Sequence, residues 1–168
     1  MLKYTNYQVT FSEVPDEVSL CIELSNCPYH CQGCHSKHLW QDIGTELTPT
    51  ELMRLIDENK GCTCVCFMGG DNDMDALAQL CPYVLGLSDY PRRICWYTGA
   101  DKIPDHRLVQ YLDYIKIGPY KAECGPLDDP NTNQRFYARG SVLNKMNVSS
   151  HMFYDITDKF WKNDTEST

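Results

Sequence analysis

The chain has 168 residues, 42% of them hydrophobic, which suits one folded unit with a real core rather than a disordered segment. Its formal net charge is −8 with no long basic run, so it lacks the clustered Lys and Arg that bind nucleic acid or an anionic membrane surface. No apolar stretch approaches a membrane span and residues 1–6 lack the apolar block of a secretory signal, so a cytoplasmic setting is expected.

In chain order, residues 18–24 mix β-branched and apolar types and read as a strand that runs into a group of cysteines. Thr48 can cap a helix whose first position is Pro49 and whose capping box Glu51 completes, with Leu52, Leu55 and Ile56 at helical spacing and a stop at Lys60-Gly61. Residues 62–67 are the second strand and end in Met68-Gly69-Gly70-Asp71. A helix is expected from about residue 73 to 80, disturbed by Pro82, then a strand at 93–97 that ends in Thr98-Gly99. A short helix at 105–112 precedes a fourth strand at 114–117, which ends in Gly118-Pro119. Residues 121–147, rich in Pro, Asn, Asp and Gly, read as a long ordered loop, 152–156 as a last strand, and the end from about 163 as a polar tail.

Alternating strands and helices predict a parallel α/β arrangement with its chemistry on the loops after the strands. An eight-unit barrel takes about 250 residues. The expectation is therefore an open partial (βα) barrel, shorter than a full TIM barrel, with residues 1–168 as a single domain.

Ten cysteines would suit a disulfide framework in a small secreted chain, but in a reducing compartment clustered thiols bind metal or do chemistry. Cys27, Cys31 and Cys34 stand in the spacing CxxxCxxC. Three thiolates can hold three irons of a [4Fe–4S] cluster and leave the fourth iron open to substrate. The alternatives at this point are a zinc site completed by His30, His35 or His38, or unrelated thiols. Gly69-Gly70-Asp71, one strand–helix unit later, is a place where backbone can approach the amino group of a bound ligand.

Several stretches together resemble the radical S-adenosylmethionine (SAM) superfamily, and more narrowly the activating proteins of anaerobic (class III) ribonucleoside-triphosphate reductase. Residues 33–40, GCHSKHLW, resemble that family's GCxNxxxW, and Met68-Gly69-Gly70-Asp71 resembles its SGGDP with Asn72 in place of the proline. Trp96-Tyr97-Thr98-Gly99 resembles WxYTG, and Ile117-Gly118-Pro119-Tyr120 resembles DGxF. Asn133-Gln134-Arg135 and Arg139-Gly140-Ser141 resemble the RGSxNQR region in reversed order. The resemblance implies a partial barrel of the radical SAM type and an oxidoreductase that cleaves SAM reductively. The 5′-deoxyadenosyl radical so formed would take a hydrogen atom from a glycine of the reductase, leaving a glycyl radical. Cluster and SAM would carry the chemistry, with no catalytic side chain. Cys27, Cys31 and Cys34 would bind the metal, Gly33, Cys34 and His35 would lie beside SAM, Gly69, Gly70 and Asp71 would hold its amino end, and Tyr97 would face the adenosine. The implied partners are the glycyl radical subunit of the reductase and an electron donor such as flavodoxin. The remaining alternatives are an activase of another glycyl radical enzyme and a non-enzymatic zinc or iron–sulfur module.

The other cysteines are expected to pack. Cys62, Cys64 and Cys66 alternate along one strand face, and Cys21, Cys81 and Cys95 are small buried groups. Asp128-Asp129 before Pro130 reads as a solvated turn, and the polar segment 121–141 as a surface on which the reductase docks.

Overall fold

A computed structural model describes residues 1–86 and 92–161. The expected polar tail from about 163 lies outside the described residues. Eight strands form one mixed sheet in the order β3-β1-β2-β4-β5-β6-β7-β8. They are β1 (Lys3–Thr10), β2 (Ser19–Leu24), β3 (Thr45–Glu46), β4 (Cys64–Met68), β5 (Arg93–Tyr97), β6 (Tyr114–Ile117), β7 (Arg135–Arg139) and β8 (Phe153–Asp155). The helices are α1 (Pro49–Glu58), α2 (Met74–Gly86) and the single turn α3 (Gly140–Leu143).

The expected open partial (βα) barrel is not formed. Only β2, β4, β5 and β6 run parallel. β1, β3, β7 and β8 join antiparallel at the two sides of that core. A barrel wall needs a covering helix in every crossover. Here α1 and α2 supply two, and the β5-to-β6 connection holds only a 3-10 helix at Arg107–Tyr111. The antiparallel flanks come from segments whose sequence conceals them. β1 has one buried residue, Tyr4, and so shows no apolar alternation. β7 lies inside the segment read as a loop and buries only Phe136 and Ala138, two residues apart.

The central strands are buried on both faces, as parallel strands between two layers must be. Leu20, Ile22, Val65, Phe67, Ile94 and Trp96 face the helices and meet Leu52, Leu55 and Leu77. Cys21, Cys64, Cys66, Cys95 and Tyr114 point to the opposite face, where Val14, Phe136 and Ile156 cover them. Cys62 parts from its expected companions: it precedes β4 and packs on the helix side. All ten cysteines are free thiols.

Thr48 caps α1 by accepting the Glu51 N–H at 3.1 Å, as the sequence predicts. The Glu51 carboxylate does not complete a box. It accepts from the Tyr4 hydroxyl at 2.5 Å and from Arg54, which ties the helix start to β1. Arg54, then Tyr4, hold the Glu51 carboxyl down to about 2. Pro82 lies inside α2 without ending it.

Candidate metal centre

The cysteines sit on a closed loop after β2. Its neck is clamped by backbone bonds from Asn26 N–H to the Gln41 carbonyl (3.0 Å) and from Cys27 N–H to the Leu39 carbonyl (2.9 Å). Ser25 adds a hydroxyl bond to the Ile43 carbonyl at 2.6 Å. Within the loop the Cys34 N–H donates to the Cys31 carbonyl at 3.1 Å, and the Ser36 N–H lies 3.4 Å from the Cys34 sulfur. The loop therefore presents three half-exposed thiols from a fixed base, with a backbone donor already aimed at one sulfur.

The three thiols line a cavity of about 220 Å³ at the C-terminal ends of the parallel strands. Leu24, Leu39 and Met68 make apolar wall, while Asp71, Thr98 and Lys116 bring polar groups to it. A larger concavity of about 800 Å³ lies between residues 11–16 and 126–128. It contains no thiol, so the candidate metal centre is the smaller one.

Gly69, Asp71 and Tyr97 line the thiol cavity together with Cys27, Cys31 and Cys34; Gly33, His35 and Gly70 stand beside it rather than on its wall. Gly70 has φ +91, and a Cβ there would meet Leu24 Cδ1 at 2.9 Å and Leu77 Cδ2 at 3.3 Å, so its bare backbone serves the core under the turn. The Gly69 N–H donates to the Tyr97 carbonyl at 3.0 Å, and its carbonyl accepts from Trp96 Nε1 at 2.8 Å. Tyr120 tilts over His35 with 5.5 Å between ring centroids, and lies 3.4 Å from where a Gly33 Cβ would be.

Residues to which the sequence assigns no site role complete the site. The Thr98 hydroxyl donates to the Asp71 carboxylate, and the Tyr29 hydroxyl is within reach of the same group. Burial raises the Asp71 carboxyl, and these two hydroxyls partly offset the rise. Lys116 donates to the Gly118 carbonyl at 2.8 Å and lies 5.8 Å from the centre of the Tyr97 ring. Burial lowers the Lys116 ammonium to about 8, against the pull of Cys31, Asp71, Cys27 and Cys34. Burial also raises the Cys27 thiol. A single lysine within the apolar run YIKI was the available signal for Lys116. Thr98 stands in the Trp-Tyr-Thr-Gly stretch and Tyr29 between Cys27 and Cys31, but neither position shows that both hydroxyls reach Asp71.

None of the histidines offered as zinc ligands, His30, His35 and His38, lines the thiol cavity. His30 stacks on Trp40 at 4.8 Å, and His38 Nε2 lies 4.0 Å from Glu23. A zinc site needs its ligands converging on one ion at about 2.0–2.3 Å. Among the described residues no three His, Cys, Asp or Glu side chains are so gathered. Cluster thiolates bind different irons and need no common point. Three thiols on one clamped loop, a backbone donor to sulfur, apolar walls and a cation fit a [4Fe–4S] cluster.

The segment expected to dock a partner is internal structure in part. Gln134 is buried, and Asn133 Nδ2 donates to the Pro119 carbonyl at 2.9 Å. Arg139 donates to the carbonyls of Val109 (2.6 Å), Leu112 (2.7 Å) and His151 (3.0 Å), so the Arg-Gly-Ser motif braces β7 against its neighbours.

The family model described as a 4Fe-4S single cluster domain matches residues 18–136, from just before β2 into β7. No curated protein and no solved structure matches the chain. No helix among the described residues is long and apolar enough to cross a membrane.

Proposed function

The chain belongs to the 4Fe-4S single cluster domain family, and from that premise we propose that it is a radical SAM activase which generates a glycyl radical on an anaerobic ribonucleoside-triphosphate reductase. One observation carries the reading. The CxxxCxxC loop, the Gly69-Gly70-Asp71 turn and the Tyr97-Thr98-Gly99 turn, far apart in sequence, contribute to one cavity at the ends of β2, β4 and β5.

Cys27, Cys31 and Cys34 hold the cluster. When bound, the cluster supplies the electron that breaks the sulfonium C–S bond of SAM. The chain's own task is to position and to shield. Asp71, steadied by Thr98, presents a carboxylate to the amino end of SAM, and Tyr97 flanks the far wall. Leu24, Leu39 and Met68 keep water from the reacting atoms. An electron donor such as flavodoxin reduces the loaded protein, in a cytoplasmic setting that keeps the ten cysteines out of disulfides.

The test is anaerobic purification followed by metal and sulfide analysis and by incubation with SAM and dithionite. About four irons and four sulfides per chain are expected, together with methionine and 5′-deoxyadenosine. Cys31→Ser should lose both iron and product, while Cys64→Ser, buried on the far face of β4, should keep both. One zinc without colour, no SAM cleavage, or equal iron loss in the two variants refutes the assignment.

A further inference from the structure

The larger concavity is a built groove on the same side of the sheet as the thiol cavity. One wall is the β1–β2 loop, with Phe11, Glu13, Pro15 and Asp16; the other is Pro126, Leu127 and Asp128, with Phe160 at the end. The first wall is anchored. Val14 is fully buried, and Glu17 accepts from Arg93 at 2.6 Å and from Tyr114 at 2.8 Å. The Tyr97 hydroxyl donates to the Glu13 carbonyl at 2.5 Å. From this fixed base Phe11 projects with 77% of its surface exposed. Phe11 stands in water beside a half-buried Leu127, an apolar pair on opposite walls of the groove.

The groove's charge is one-sided. Asp16 is paired with Lys159 at 2.7 Å. Glu13 and Asp128 have no ion-pair partner among the described residues. Its position is also informative. Phe160 packs on Phe136 at 5.0 Å, and Phe136 on Tyr97 at 6.1 Å, so an aromatic row runs from the groove to the wall of the thiol cavity. The wall with Pro126, Leu127 and Asp128 lies within the matched span 18–136, and the wall from Phe11 to Asp16 lies before it.

We infer that this groove anchors a basic segment of the protein substrate, one that carries an apolar side chain to set against Phe11 and Leu127. Glu13 and Asp128 choose the charge, and Phe11 and Leu127 supply the apolar contact area. A net charge of −8 steers such a segment inward and repels a second copy of this chain. Naming that substrate as the glycyl radical subunit of the reductase rests on the activase reading; the preference for a basic, apolar segment rests on the groove alone.

The test measures binding of the cluster-loaded chain to purified glycyl radical subunit at low and high salt, with Asp128→Lys and Phe11→Ser. Both positions are exposed, so folding, iron content and partner-free SAM cleavage should be unchanged. Each variant should weaken binding by about tenfold, the effect of losing one well-placed contact. Asp128→Lys should also flatten the salt dependence, and Phe11→Ser should not. Binding within about twofold of the unaltered chain in both variants, or no complex with an unaltered chain that does cleave SAM, overturns the inference. Where the unaltered chain neither cleaves SAM nor forms the complex, a lysine- and leucine-rich peptide replaces the subunit, and its failure to bind in a Phe11- and Asp128-dependent way overturns the inference. So does a dimer of this chain, seen by sedimentation, that Phe11→Ser abolishes. If the unaltered chain fails to cleave SAM while both variants lose binding, the activase reading falls and the groove assignment stands.

Discussion

Lys116 places an ammonium on the cavity wall shared with Cys27, Cys31 and Cys34, held by the Gly118 carbonyl at 2.8 Å. A cluster bound by three thiolates becomes more negative when it takes up an electron, and a nearby buried cation favours that state. Replacing Lys116 with Met should make the midpoint potential more negative by about 59 mV, the equivalent of tenfold for a one-electron couple. Lys116→Arg, which keeps the charge, should shift it much less. Redox titration of loaded protein followed by electron paramagnetic resonance gives both values, and equal potentials in all three proteins would remove Lys116 from this role. The same residue shows where the sequence stops being informative. Cysteine spacing is a local property, so Cys27, Cys31 and Cys34 could be read directly, and so could the glycine-rich strand end with Asp71. Lys116 and Thr98 join the site because β4, β5 and β6 lie side by side in register, whereas Tyr29 comes with the cysteine loop itself.

At the scale of elements, the cysteine loop is held to the β5 end by one ring. Tyr29, two residues after Cys27, lies over Gly99, where a Cβ would stand 2.5 Å from its Cδ2 atom. Gly99 is therefore required for close approach rather than for its backbone angles, unlike Gly69 with φ +105. Gly99→Val should push the ring away and loosen the thiol loop, giving faster iron loss to a chelator. In a Tyr29→Ala background the loop has already lost that contact, so Gly99→Val should add little. Rates of iron loss across the four proteins close a double-mutant cycle. Purely additive rates would mean that the ring does not couple the loop to β5. Helix α1 was legible for a comparable reason turned inward: Thr48, Pro49 and the Leu52, Leu55, Ile56 stripe are all local signals. β7 was hidden because Arg135–Arg139 is flanked by turn-forming residues and takes its place by pairing with β6 and β8.

For the whole molecule, the question is whether the cluster builds the fold or occupies it. The parallel core could be foreseen from four apolar runs, but closure at the sides could not. Antiparallel partners such as β1 contribute backbone bonds more than buried side chains, and sequence patterns report only the latter. That distribution decides the effect of removing metal. Neither face of the sheet depends on Cys27, Cys31 or Cys34: the helix-side core and the Cys21, Cys64, Cys66, Cys95 face are complete without them. The thiol loop is clamped by its own neck bonds and by Ser25. A small metallodomain whose core is its metal site unfolds when stripped. This chain should instead keep its far-ultraviolet circular dichroism without iron and still unfold cooperatively. The cluster binds the folded state alone, so its loss should lower stability by about 3–4 kcal/mol, as for a ligand present far above its dissociation constant. For a chain of this size that is about 10 °C in melting temperature. The measurement is thermal unfolding under strict anaerobiosis of protein with and without reconstituted iron and sulfide. Disordered spectra in the stripped protein would show that the cluster is part of the core, whereas identical melting temperatures would show that the thiol loop binds nothing that matters to the folded state.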